Sequence, residues 1–317
     1  MILALALSPS VDVTYVVDAL PAGGQARPDE VHRVAGGKAI NAARAAAALG
    51  GTVRLLAALG GRSGEEVADG IAGAGIGLRA VATGIPTRTC VSVFSRATGE
   101  LTEIYEHAPS IASAWHEVLR AVAEELGDAP AGAPGWVLLS GSLPETGDPD
   151  PLGAIATRVA AAGARLAIDT HGPALRRALE LDPPPALVKV NRAEAAAALD
   201  APAASASELA SALQARTGGI AVVTDGEAGS AAAAPDGAWV ARLPGVRGGF
   251  PVGSGDSFLG ALLTALDDGT PPEPLPAALA LAAAAATANA LVPGAAVFDL
   301  AEVERLRRQV DVRPVGA

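Results

Sequence analysis

Short, near-continuous apolar runs, separated by helix-like stretches, constrain this chain more than any other feature. Val53–Leu59, Trp136–Ser140, Arg165–Asp169, Leu187–Asn191 and Ile220–Thr224 lack the polar alternation of a half-solvated strand. A strand covered on both faces reads this way. Residues 65–74 and 151–162 between them read as helices, the first stopped by Gly75. Strands alternating with helices predict an α/β fold, with a mostly parallel central sheet between two helical layers. In such sheets the functional residues gather at the carboxyl ends of the strands.

Two segments break the rhythm. Residues of about 11–35 and 88–106 are β-branched or alternating, and Ala97-Thr98-Gly99-Glu100 reads as a hairpin turn. They predict a small β-sheet lid inserted into one large domain spanning 1–317. Pro183-Pro184-Pro185 and Pro271-Pro272 read as surface loops. Residues 277–292 read as a packed helix, too short and alanine-rich to span a bilayer. Residues 1–7 read as a buried first strand rather than a signal peptide.

Composition narrows the partners. Half the residues are hydrophobic but only 3% are aromatic, so Ala, Val and Leu must fill the core. The formal net charge of −11 argues against a nucleic-acid-binding face. Cys90 is the single cysteine, which leaves no intrachain disulfide and fits a reducing cytoplasm.

Two glycine turns carry the chemistry. Gly253-Ser254-Gly255-Asp256-Ser257 opens an apolar helix, so free N–H groups and a positive helix end face the turn. An acid inside an anion site repels the anion unless it has a task. Phosphoryl transfer supplies one: the turn holds phosphate charge while Asp256 takes a proton from the attacking hydroxyl. The plainer alternative is a helix cap. Ala35-Gly36-Gly37-Lys38-Ala39-Ile40-Asn41 opens a second helix, with Lys38 and Asn41 on one face of its first turn. The chain's two lysines, Lys38 and Lys189, both fall inside such motifs. No Gly-x-x-x-x-Gly-Lys-Ser/Thr loop occurs, so phosphate charge must be met by the turn, the helix end and a divalent metal.

In order and spacing these motifs resemble the ribokinase/PfkB carbohydrate kinases, within them the 1-phosphofructokinase and tagatose-6-phosphate kinase branch. The resemblance runs from Leu7–Tyr15 through Thr87-Arg88-Thr89, Leu139–Pro144, Ile168-Asp169-Thr170, Lys189–Glu194 and Thr224–Gly229 to Gly253–Ser257. It implies a ribokinase-like fold whose lid covers the sugar. It implies Asp256 as base, with an anion hole from Gly253, Ser254, Gly255 and Asp256. Asp12, Gly36, Gly37 and Asn41 would hold the sugar; Lys38, Arg88, Ser140 and Arg27 would bind a phosphate already on it. ATP would meet Lys189, Asn191, Thr224, Gly226, Glu227 and Gly229. Asn191 and Glu194 would place Mg²⁺ through water, although a capping box would explain the same pair. His107 is given no role.

The chain departs from the branch at Ala39, Cys90, Val190, Pro251 and Ser254, where Gly, Asn, Pro, Thr and Ala are usual. Loss of the amide at Cys90 bears most on which sugar fits. The expected activity is ATP-dependent phosphorylation of a sugar phosphate of the fructose 1-phosphate or tagatose 6-phosphate type, with Mg²⁺. An unphosphorylated sugar or nucleoside is the alternative acceptor, and a non-catalytic sugar- or nucleotide-binding protein the alternative class. The lid is a candidate homodimer surface; no nucleic acid or membrane partner is expected.

Overall fold

The structure, a computed structural model, describes residues 1–127, 135–267 and 274–316. β1 (Ile2–Ala6) crosses the core, and the chain leaves its carboxyl end into a separate sheet as β2 (Ser10–Val17) and β3 (Glu30–Gly36). α1 (Lys38–Ala48) brings it back to β4 (Val53–Leu59), α2 (Gly61–Gly73) and β5 (Gly77–Ala82). A second excursion, β6 (Arg88–Ser95) and β7 (Glu100–Tyr105), completes the small sheet. Strand and helix then alternate through α3 (Trp115–Gly127), β8 (Trp136–Ser140), α4 (Pro151–Ala161), β9 (Arg165–Asp169), α5 (Gly172–Ala178) and β10 (Leu187–Asn191). α6 (Arg192–Ala198), α7 (Ala206–Thr217) and β11 (Ile220–Thr224) follow. The chain closes with β12 (Ser230–Ala234), β13 (Gly237–Arg242), α8 (Ser254–Leu266), α9 (Leu275–Ala290), α10 (Leu300–Arg307) and β14 (Asp311–Pro314).

The large sheet has the order β14-β13-β12-β11-β10-β9-β8-β1-β4-β5. It is parallel from β11 to β5, with an antiparallel edge of β12, β13 and β14. Strand alternation sends β1 to two cores: Ile2, Ala4 and Ala6 face one side, Leu3 and Leu5 the other. α1, α8 and α9 cover the first face, while α3 and α4 cover part of the second. The expected three-layer α/β/α architecture is therefore present.

α8 is apolar around most of its circumference because it lies between α1 and α9. Leu259, Leu262 and Leu263 are fully buried there, each worth about 1.5–3 kcal/mol of transfer free energy. Small residues set the approach of α1 to α8. A Cβ on Gly260 would fall 2.3 Å from the Ala42 carbonyl oxygen, so only glycine permits this spacing.

The lid sheet has the order β3-β2-β6-β7. The expected hairpin joins β6 to β7, and β2 pairs β3 antiparallel but β6 in parallel. The sheet is therefore mixed, as its two halves enter from separate points of the chain. α2 starts at Gly61, a turn before the expected Glu65. Ser63 Oγ donates to the Thr87 carbonyl (2.6 Å) and the Gly60 N–H donates to Thr87 Oγ1 (3.1 Å), so a distant segment recruits glycines that locally read as a turn. Pro183 and Pro184 are exposed as expected, Pro185 is buried, and Pro271-Pro272 lie outside the described residues.

Candidate active site

Strand register delivers the first residues of the site. Ser140 at the end of β8 lies opposite Asp169 at the end of β9, and Asn191 at the end of β10 lies opposite Thr224 at the end of β11. The two glycine turns meet above these ends. Gly253, at φ +77°, caps α8 in the left-handed region, and its bend directs the first turn of the helix inward. The Ser254 N–H bonds the Pro251 carbonyl (3.1 Å). The N–H groups of Gly253, Gly255 and Asp256 have no carbonyl partner among the described residues and remain for a ligand.

Asp256 and Asn41 are both buried, and Asn41 Nδ2 donates to Asp256 Oδ2 at 2.9 Å across 215 residues of sequence. Burial and the nearby Asp169 carboxylate push the Asp256 carboxyl up to about 6, against the opposing pull of Lys38, Asn41 and Lys189. A carboxylate so tuned is a competent proton acceptor near neutral pH.

Asp169 is fully buried between both lysines. Lys38 Nζ lies 3.1 Å from Oδ1 and Lys189 Nζ 2.8 Å from Oδ2. Burial alone would raise the Asp169 carboxyl, but the two ammonium groups hold it below the usual carboxylate range. Asp169 in turn raises Lys38 further above the ordinary lysine value. Lys189 also reaches the anion turn, since a Cβ on Gly255 would sit 2.9 Å from its Nζ.

On the lid side, Asp12 accepts from Ser10 Oγ (2.6 Å) and from the Gly37 backbone, yet burial dominates and lifts its carboxyl. Gly36 has no side chain because a Cβ there would fall on the Asp12 carboxylate. Arg88 donates to the Glu106 and Ser8 carbonyls (3.0 and 3.3 Å), leaving its buried Nε without a partner.

These groups line one cavity of about 560 Å³. Asp12, Gly37, Lys38, Asn41, Arg88, Lys189, Asn191, Glu194, Thr224, Gly253, Gly255 and Asp256 all reach it. A second cavity of about 270 Å³ adjoins it through Thr224 and Gly255. Gly226, Glu227, Gly229 and Ser254 line that one together with apolar Val246, Phe258 and Ala283. Ser140 is buried without a partner for its hydroxyl and does not line the main cavity; its neighbours Gly141 and Ser142 do. Gly36 stands behind Asp12, Arg27 is exposed on the lid loop away from both cavities, and His107 is exposed as well.

Asn191 and Glu194 form a complete capping box on α6: the Asn191 side chain accepts from the Glu194 N–H and Glu194 Oε2 from the Asn191 N–H, each at 2.9 Å. Glu194 Oε1 is left toward the cavity, 3.8 Å from Lys38 Nζ. A carboxylate oxygen facing the cavity suits a hydrated divalent ion that takes most of its ligands from phosphate and water. Among the described residues no cluster of three or more His, Cys, Asp or Glu forms a metal cage.

Sequence reasoning assigned no role to Asp169, although an acid ending an apolar strand was a visible signal. It also missed Arg44, which donates to Asn41 Oδ1 (3.3 Å) and to the Ala35 and Ala295 carbonyls, fixing the Asn41 amide. Fully buried Asn289 braces the anion turn through the Val252 carbonyl (2.8 Å) and Ser254 Oγ (3.1 Å). Nothing local marks an asparagine in an alanine helix for that task.

A buried acid beside free helix-end N–H groups, set over the carboxyl ends of a parallel sheet, fits a phosphoryl-transfer enzyme of the α/β class. A family model described as "pfkB family carbohydrate kinase" matches residues 3–301, and the chain belongs to that family. It is accordingly a carbohydrate kinase that transfers phosphate to a hydroxyl, with ATP as co-substrate. It is 34% identical over 273 residues to a 1-phosphofructokinase of Xanthomonas campestris pv. campestris, covering 83% of this chain and 84% of that one. Its fold is similar to phosphofructokinase-2 from Escherichia coli in complex with substrates and products: TM-score 0.86, 24% identity, 97% of this chain and 98% of that one covered. A possible 1-phosphofructokinase from Thermotoga maritima is likewise similar, with TM-score 0.84, 19% identity and 99% of each chain covered.

Proposed function

We propose that the chain phosphorylates a hydroxyl of a sugar phosphate, of the fructose 1-phosphate or tagatose 6-phosphate type, using Mg²⁺ and ATP. The observation that carries this reading is the buried Asn41–Asp256 hydrogen bond, which joins both glycine turns at one cavity. Asn41 occupies Asp256 Oδ2 and leaves Oδ1 to take the acceptor's proton. The N–H groups of Gly253, Gly255 and Asp256, with Lys189 beside them, face the charge on the moving phosphoryl group. Gly226, Glu227 and Gly229 border the apolar side cavity, which suits the nucleoside of ATP. Asn191 and Glu194 would hold Mg²⁺ through water, where it neutralises phosphate charge.

A phosphorylated acceptor is favoured over a free sugar or nucleoside by Arg88. Arg88 lines the main cavity, and its guanidinium suits a phosphate oxygen there. Asp12 would bind acceptor hydroxyls from the lid. A homodimer through the lid would cover its exposed Val31, Ile104 and Tyr105. Among the described residues no helix is long and apolar enough to cross a membrane, and a cytoplasmic location is part of the proposal.

The test is ADP release from Mg·ATP with a panel of acceptors: fructose 1-phosphate, tagatose 6-phosphate, the free ketohexoses and nucleosides. Turnover should be at least about tenfold higher in kcat/KM with a phosphorylated ketohexose. Preference for a free sugar or nucleoside would transfer the reading to the alternative acceptor. Ligand binding without ADP release across the panel would sink it.

A further inference from the structure

The acid that carries the chemistry is surrounded by an unusual charge arrangement. Around Asp256 stand Lys38, Asn41 and Arg44 from α1, Asp169 from the end of β9, and Lys189 from β10, with Glu194 of α6 3.8 Å from Lys38 on its other side. α9, packed along α8, contributes no titratable side chain. Both lysines of the chain therefore lie on Asp169, one from the acceptor-side helix and one from the donor-side strand. Asp169 is fully buried, and each of its oxygens holds one ammonium group.

We infer that Asp169 is a positioning residue: it pins Lys38 and Lys189 in one ion triad and thereby keeps them from collapsing onto Asp256, leaving that carboxylate free to accept the hydroxyl proton. The inference rests on Asp256 being the base in the proposed kinase reaction. The charge count supports it. Two ammonium groups beside Asp256 alone would make it a weak base, because nearby cations favour the ionised form. A second carboxylate between the lysines restores the balance while still leaving them able to meet phosphate. Flexible lysines need such a partner, since their rotamer freedom otherwise opposes a fixed position. The triad also ties the acceptor helix α1 to the donor strand β10 across the cleft.

Asp169→Asn tests this, with fructose 1-phosphate and tagatose 6-phosphate as acceptors and Mg·ATP as donor. The expected result is a fall in kcat of about tenfold or more, larger than any rise in either KM. The acidic limb of the kcat/KM profile should move down by about one pH unit as Asp256 loses its raising neighbour. An acidic limb that stays in place overturns the inference even if kcat falls, because a merely structural role would leave it there. Asp169→Glu keeps the charge and shifts it by one methylene, which covers the case in which the asparagine variant does not fold. It should hold the acidic limb within a few tenths of a unit while lowering kcat; wild-type kcat in this variant would overturn the inference. The base assignment is read separately, in Asp256→Asn. Wild-type turnover there would remove the base and overturn the inference with it, whereas a dead Asp256→Asn beside an unshifted Asp169→Asn overturns the inference alone.

Discussion

The two glycine turns look alike in sequence and present opposite kinds of group. The turn at Gly36-Gly37 opens α1 and supplies side chains: Lys38 and Asn41 reach the cavity from its first turn. The turn at Gly253 opens α8 and supplies backbone: free N–H groups, with Asp256 as the side chain it presents to the cavity. The first puts a cation at a positive helix end and needs Asp169 to hold it. The second puts an acid at a positive helix end, where the dipole favours its charge, yet burial and Asp169 still keep its proton affinity high. On the proposed reading, similar local geometry gives a gripping surface in one case and a reactive one in the other. The difference lies in what the rest of the fold places nearby.

The comparison can be broken at its centre by Asp256→Asn. Turnover should fall by about 10²-fold or more while ATP binding, measured by calorimetry, stays near wild type. Stability at pH 8 should not drop. A carboxyl raised to about 6 stabilises the fold only where it is protonated, and that contribution is lost as pH rises through 6, so the neutral amide forfeits nothing there. Retained turnover would strip the second turn of its reactive role.

The gripping side is sharpened by Arg88→Ala. KM for a sugar phosphate should rise about tenfold or more, with KM for ATP nearly unchanged. Equal rises in both would place Arg88 outside the acceptor subsite. Gly260→Ala probes the contact between the two helices. The new methyl against the Ala42 carbonyl should cost about 1–3 kcal/mol by chemical denaturation and lower kcat by pulling Asn41 from Asp256. Unchanged kcat with lowered stability would mean the two turns need not be held at this spacing.

Lowering the pH should protonate Asp256, so kcat/KM should fall by about tenfold per unit below about 6. A flat profile down to pH 5 contradicts the tuned base. The smallest expected effect is that of Glu194→Gln. Glutamine preserves the capping box, so the fold should melt as before, while the Mg²⁺ concentration for half-maximal rate should rise several-fold. No change would leave Glu194 a cap alone.

Much of the architecture was legible because its causes are local. Near-continuous apolar strands such as Leu187–Asn191 announce a sheet buried on both faces. The β-branched excursions announce the lid. The alanine-rich β12 carried no such signal: Ser230–Ala234 is a strand only because β11 and β13 flank it. The site divides in the same way. Asp256, Asn41 and Gly253 were visible from turn chemistry. Arg44 and Asn289 were not, since their importance lies in carbonyls and hydroxyls brought to them from distant segments.

By itself the sequence determined the layering of the fold, the two glycine bends and the kinds of group each would present. These depend on residue spacing, glycine backbone freedom and strand periodicity, all expressed within a few positions. Only the tertiary structure decided that Asn41 meets Asp256, that both lysines share Asp169, and that Ser142 rather than Ser140 lines the cavity. The reason is physical: hydrogen bonds, ion pairs and the pKa values they set depend on distances of a few ångströms between residues far apart in the chain, and only packing, here of α1 against a glycine of α8, fixes those distances.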